Sequence, residues 1–130
     1  MDVKFRLWIE KDGKHVIGKG GATILRAIKE EGSIAAASKK LGMSYRYVWG
    51  YLKKMESTVG KVIESTKGGR EGGKSILTEK GMEVLKVYEF YEELFSQLAS
   101  KDFVRAKVKE GKVVPEREVE DGEVIILRVK

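Results

Sequence analysis

Ser33-Ile34-Ala35-Ala36-Ala37-Ser38-Lys39-Lys40-Leu41-Gly42-Met43-Ser44-Tyr45-Arg46 reads as a short helix, a tight turn and the start of a second helix. Ser33 is an N-cap, with a side-chain oxygen placed to accept from the first free amides. Ala35, Ala36 and Ala37 carry almost no side chain, so a second helix can cross closely. Gly42 ends the first helix and makes the turn. Met43 plugs that turn from the core side, and Ser44 caps the second helix, expected over residues 44–58. At about 100° per residue, Tyr45, Val48, Leu52 and Met55 share one face, and Arg46, Gly50, Lys53 and Lys54 lie on the other. This is a helix-turn-helix pattern, in which the second helix can present its N-terminal turns to a partner.

Downstream, Val62-Ile63 and Ile76-Leu77 read as two short strands around Lys67-Gly68-Gly69-Arg70-Glu71-Gly72-Gly73-Lys74, a glycine-rich basic hairpin. Placed directly after the second helix, such a hairpin is a wing. Thr78 then caps a long helix in which Val84, Val87, Tyr91, Leu94 and Leu98 repeat at steps of three and four, with Tyr88 and Phe95 widening the stripe. A helix of about 20 residues spans about 30 Å, longer than a small domain needs for its own core, so the stripe is expected to serve as core or dimer seam. Upstream, Val3, Phe5, Leu7 and Ile9 alternate with polar residues and Trp8, which reads as a strand over 3–10. Asp12-Gly13 is a two-residue hairpin turn, His15-Val16-Ile17 the return strand, and Gly18, Gly20 and Gly21 a flexible lead-in to a helix over 22–31. Beyond residue 100, turns at Glu110-Gly111 and Asp121-Gly122 separate three expected strands over 103–109, 113–119 and 123–129, with Pro115 confining the middle one to an edge.

The expected class is therefore α+β: a winged helix-turn-helix with an N-terminal β-hairpin over 1–81, a long dimerisation helix over 82–100, and a short β tail over 101–130. In 130 residues there are 26 Lys and Arg against 20 Asp and Glu, a net charge of +6. The charge is uneven: +8 over residues 1–81, −3 over 82–100 and +1 over 101–130. Cysteine is absent and His15 is the single histidine. That excludes disulfides, thiol nucleophiles, Cys- or His-cluster metal sites and a Ser-His-Asp triad. No carboxylate pair suggests acid–base work, so an enzyme is not expected, and no cofactor or metal is. No apolar run approaches the roughly 20 residues of a membrane span, and the N-terminus has no signal-peptide core. A cytoplasmic protein is expected. Nineteen Lys, 16 Glu, one Gln and no Asn match the hyperthermophile tendency.

Double-stranded DNA is the partner these features favour. From Gly32 to Met55 there are five basic residues and no acidic one. The groove-facing candidates are Ser44, Arg46, Tyr47, Gly50 and Lys53. An Arg fork matches the guanine O6/N7 edge, so Arg46 is the best base reader, with a phosphate contact the equal alternative. Lys53 and Lys54 suit phosphates, as do Lys67, Arg70 and Lys74 in the wing. Tyr45 and Trp49 flank the apolar stripe and are expected to pack, although Tyr45 belongs to the candidate DNA-binding set. His15 is expected to be an ordinary strand residue. Gly68 to Ser75 satisfies G-x-x-x-x-G-K-[ST] literally, but a phosphate loop needs a helix directly after it, and Ile76-Leu77 reads as strand.

Gly32-Ser33-Ile34, the Ala35–Ala37 run, Gly42-Met43-Ser44-Tyr45-Arg46, Trp49, the wing and Leu77-Thr78-Glu79-Lys80-Gly81 closely resemble the N-terminal DNA-binding domain of ModE-type molybdate-responsive regulators. The helix-turn-helix is shared more loosely with LysR-type regulators. The resemblance, over about residues 5–95, implies a winged helix, a homodimer through the long helices (Val84, Val87, Tyr91, Leu94 and Leu98) and a two-fold symmetric operator. It also raises molybdate or tungstate as an effector. Complete ModE proteins carry C-terminal molybdate-binding β-barrels, and about 30 residues after the long helix are too few for a pair of them. The function expected is a DNA-binding transcription regulator. The alternatives are a non-sequence-specific architectural DNA binder and a P-loop nucleotide-binding protein.

Overall fold

The computed structural model describes residues 1–66, 73–100 and 103–129. It is a mixed helix and strand structure: β1 (Trp8–Lys11), β2 (Lys14–Gly18), α1 (Lys19–Glu31), α2 (Ile34–Leu41), α3 (Tyr45–Val59), β3 (Ile63–Ser65), β4 (Ser75–Leu77), α4 (Glu79–Ala99), β5 (Ala106–Lys109) and β6 (Lys112–Pro115). The strands form three separate antiparallel hairpins, β1–β2, β3–β4 and β5–β6. Three helices, a hairpin and a fourth helix in this order make the winged helix-turn-helix that the sequence implies.

The helix-turn-helix forms as its caps dictate. Ser33 Oγ accepts from the Ala36 amide at 3.0 Å and Ser44 Oγ from the Tyr47 amide at 3.0 Å. Between them Gly42 takes φ +64°, its amide donating to the Lys39 carbonyl, while the Met43 amide donates to the Ser38 carbonyl. That pair of bonds closes the last turn of α2, and the left-handed backbone explains glycine there. Met43 and Leu41 pack on the core under the turn.

One core holds the domain. Ile24, Leu25 and Ile28 of α1, Ala37 of α2, Val48, Leu52 and Met55 of α3, Val62, and Val84, Leu85 and Tyr88 of α4 are buried together with Val16 and Ile17 of β2. Of the three alanines expected to permit a close crossing, only Ala37 is fully buried, while Ala36 is half-buried and Ala35 exposed. Arg26 of α1 pairs with Glu89 of α4 at 3.0 Å.

Several expectations are corrected. The N-terminal strand is shorter than 3–10, because only Trp8–Lys11 finds a partner in β2. The register slips between Ile9 and Glu10, so that Val16 and Ile17 are both buried although adjacent strand residues normally alternate. Phe5 instead stacks on Phe95 at a centroid distance of 5.9 Å. Gly20 and Gly21 are not a flexible lead-in but the first turn of α1, where Gly21 lets the Tyr51 ring pack against the backbone. Tyr45 does not join the apolar face of α3. It is 53% exposed, and Trp49 is 46% exposed, because the core under α3 stops at Val48. On α4 the inward face is Gly81, Val84, Leu85 and Tyr88, so Val84 belongs to the domain's own core, while Val87 and Tyr91 point away from it. The tail forms one hairpin, not three strands. Glu110-Gly111 makes its turn at φ +50° and +76°, but residues 123–129 pair with nothing described.

Candidate nucleic-acid interface

The site is built on α3. Ser44 holds the first turn, and the buried row Val48, Leu52 and Met55 fixes which way the helix rolls. That roll leaves Tyr45, Arg46, Tyr47, Trp49, Gly50, Lys53 and Lys54 exposed. A Cβ added at Gly50 would meet no atom within 4 Å, so nothing inside the domain requires glycine there.

The candidates differ in how they are held. Lys53 Nζ bonds Glu56 Oε1 at 3.1 Å and lies 5.5 Å from the Trp49 ring centroid, so its charge is partly engaged within the helix. Arg46 and Lys54 form no ion pair among the described residues. Both line one shallow groove with Tyr47, Gly50, Tyr51, Met55, His15 and Val16. His15, expected to be an ordinary strand residue, has its Nε2 3.1 Å from the Tyr51 hydroxyl. Nothing local in the sequence announces that contact, since the two residues are 36 apart. Lys40, at the end of α2, is tied to Glu30 and Glu31, whose hydrogen bonds push its ammonium above its ordinary value.

Glu56 connects the helix to the wing. Its Oε2 accepts from the Val62 amide at 2.9 Å and more weakly from the Ile63 amide. Burial raises this carboxyl, but the bonds from Lys53, Val62 and Ile63 outweigh it and hold the group below its usual range. Tyr51 behaves oppositely: burial pushes its hydroxyl up, against the Gly18 and Gly21 amides that lower it.

The wing strands β3 and β4 pair Ile63 with Leu77 and Ser65 with Ser75. Lys74 is exposed. Lys67 and Arg70 lie outside the described residues. Ser75 is buried in β4, its hydroxyl 2.8 Å from Ser65 Oγ and its amide on the Gly32 carbonyl at 2.7 Å. The next helix waits for the Thr78 cap. A phosphate loop needs its Ser at a helix N-terminus, so this geometry overturns the P-loop alternative. Among the described residues no cluster of three metal-ligating side chains occurs, and no helix is long and apolar enough to cross a membrane.

The family model described as "Bacterial regulatory helix-turn-helix protein, lysR family" matches residues 22–82, from the start of α1 to the start of α4. Over residues 22–82 the chain is thus similar to the LysR-type helix-turn-helix. The family is one of regulatory proteins rather than enzymes. The chain is also similar to molybdenum-related proteins. The chain is 30% identical over 93 residues to molybdenum-pterin-binding protein MopB of Rhodobacter capsulatus, covering 71% of this chain and 34% of that protein. It is 29% identical over 82 residues to the DNA-binding transcriptional dual regulator ModE of Escherichia coli, covering 62% of this chain and 30% of that one. The chain thus spans about a third of the length of these relatives. Among solved structures, ZitR of Lactococcus lactis gives a TM-score of 0.47 at 25% identity, covering 73% of this chain and 66% of that one.

Proposed function

We propose that the chain is a transcription regulator that binds duplex DNA as a homodimer, with α3 in the major groove and the wing on the flanking backbone. The observation that carries this reading is the solvent face of α3. Arg46, Tyr47, Gly50 and Lys54 stand together, uncovered, on the second helix of the helix-turn-helix, within the region similar to the LysR family. Arg46 is the base reader. Ser44, Tyr45, Tyr47 and Gly50 sit in the groove, and Lys53, Lys54, Lys67, Arg70 and Lys74 meet phosphates. Residues 1–81 act as the DNA-binding part, 82–100 as the dimerisation helix and 101–130 as an accessory tail. The partner implies a cytoplasmic location.

The dimer seam of this proposal is the outward face of α4: Val87, Phe90, Tyr91 and Phe95 are exposed, and Leu94 and Leu98 half-buried. Two such domains would place their recognition helices in successive major grooves, about 34 Å apart.

The test selects bound fragments from the source genome, then compares Arg46→Ala and Arg70→Ala on selected and random duplex. Arg46→Ala should cost about 1–3 kcal/mol on selected sites and relax preference at one base pair, while Arg70→Ala weakens all sequences alike. Equal losses for Arg46→Ala on both duplexes would defeat base reading. Equal affinity of the unaltered protein for every fragment would assign the architectural role instead.

A further inference from the structure

We propose that the N-terminal β1–β2 hairpin is a second contact with the same duplex, gripping the backbone beside α3; this rests on the DNA-binding reading above. The groove along α3 has two walls. Arg46, Tyr47, Gly50 and Lys54 form one, and His15 and Val16 of β2 form the other. Any strand of duplex backbone that reaches Arg46 and Lys54 therefore lies against the hairpin as well. The walls are locked together by the Tyr51 hydroxyl, which sits 3.1 Å from His15 Nε2 and 3.5 Å from the Gly18 amide. Tyr51 and Met55 complete the lining between the two walls.

The distribution of paired charge points the same way. Among the described residues Arg26, Lys40, Lys53, Lys61 and Lys80 are occupied by carboxylates, whereas Arg46 and Lys54 of the helix wall, Lys14 at the start of β2 and Lys19 at the start of α1 are among those that are not. Lys14 and Lys19 bracket β2, both exposed. The acidic residues on this hairpin are Glu10, which accepts from the Trp8 indole at 2.9 Å, and Asp12 in the turn.

The two hairpins also sit at opposite ends of α1. β2 runs into its N-terminus at Gly18, and β4 bonds its C-cap at Gly32. Its 13 residues set them about 20 Å apart at 1.5 Å per residue. The wing is thus remote from the groove lined by His15 and Val16, and the β1–β2 hairpin, with Lys14 at the start of β2 and Lys19 just after it, is the clamp on that side.

The test is equilibrium binding of the full chain to a random-sequence duplex of about 40 base pairs across a salt series. Replacing Lys14 and Lys19 together by Ala should weaken binding about 3- to 10-fold and lower the slope of log K against log salt by about 1–2. Both side chains are exposed, so thermal unfolding should not move. His15→Lys, which sets a fixed charge on the same wall, should steepen the slope by about 1. Unchanged slopes in both variants, with Arg46→Ala still weakened, would overturn the clamp and leave the helix reading intact. No binding by the unaltered protein even at low salt would overturn both.

Discussion

A Cβ placed on Gly21 would lie 2.7 Å from Cε1 of Tyr51. The first turn of α1 and the middle of α3 meet through that missing side chain. Gly21→Ala therefore sets two effects against each other. Alanine gains up to about 1 kcal/mol of helix propensity, and the forced displacement of a packed ring costs about 1–3 kcal/mol. The net expectation is a loss of stability. Gly20→Ala, one residue away with nothing within 4 Å, should instead gain about 0.5–1 kcal/mol. Denaturant midpoints of the two variants check this; a gain in both would show that the ring yields freely.

Gly50→Ala separates folding from function. The added methyl meets open space, so the helix should be stabilised by about 0.5–1 kcal/mol. If α3 enters the major groove, the same methyl stands between the helix backbone and the bases, and affinity should fall. A variant that is both more stable and an equally tight binder would remove Gly50 from the interface.

Glu56 predicts a pH dependence of stability. Its folded carboxyl lies below the usual range, so its contribution is complete above the unfolded carboxylate pKa and is lost as pH falls through the lower folded value. At neutral pH, Glu56→Gln should cost about 1–2 kcal/mol, the worth of hydrogen bonds to a charged group. Urea titrations repeated at decreasing pH should bring the variant and unaltered protein together in acid. A constant difference across the range would sink this account.

The two faces of α4 should respond differently. Val84 is buried, and Val84→Ala should destabilise the domain by about 1–3 kcal/mol. Tyr91 is exposed; if the proposed dimer forms on this face, Tyr91→Glu should leave folding intact while halving the mass in sedimentation equilibrium. A Tyr91→Glu chain that keeps the mass of the unaltered protein would move the dimer seam elsewhere.

What was legible in the sequence was local. Ser33, Ser44 and Thr78 each accept from the amide three residues on, and Asp12-Gly13 and Glu110-Gly111 turn within two residues. Those interactions are written side by side in the chain. The errors arose where a partner far along the chain decides. Gly21 has no side chain because the Tyr51 ring, 30 residues away, occupies that space. A periodic stripe on α4 did not reveal that Tyr88 faces inward and Tyr91 outward, because α1 and β2 select the buried face. Apolar character at 123–129 did not make a strand, since a strand exists only by pairing. The α3 candidates could be found from their spacing, but His15 could not, because its role comes from standing opposite them in the groove.

Val62 closes the circuit between these parts. Its amide is held by Glu56 at the end of α3, and its carbonyl accepts from the Thr78 amide at 2.9 Å, with Gly81 packed on the same oxygen. One buried residue thus ties α3 directly to the first turn of α4, across the wing segment that separates them in sequence. A joint of this kind is stiff: α3 cannot tilt against the first turn of α4 without breaking the bonds at Val62.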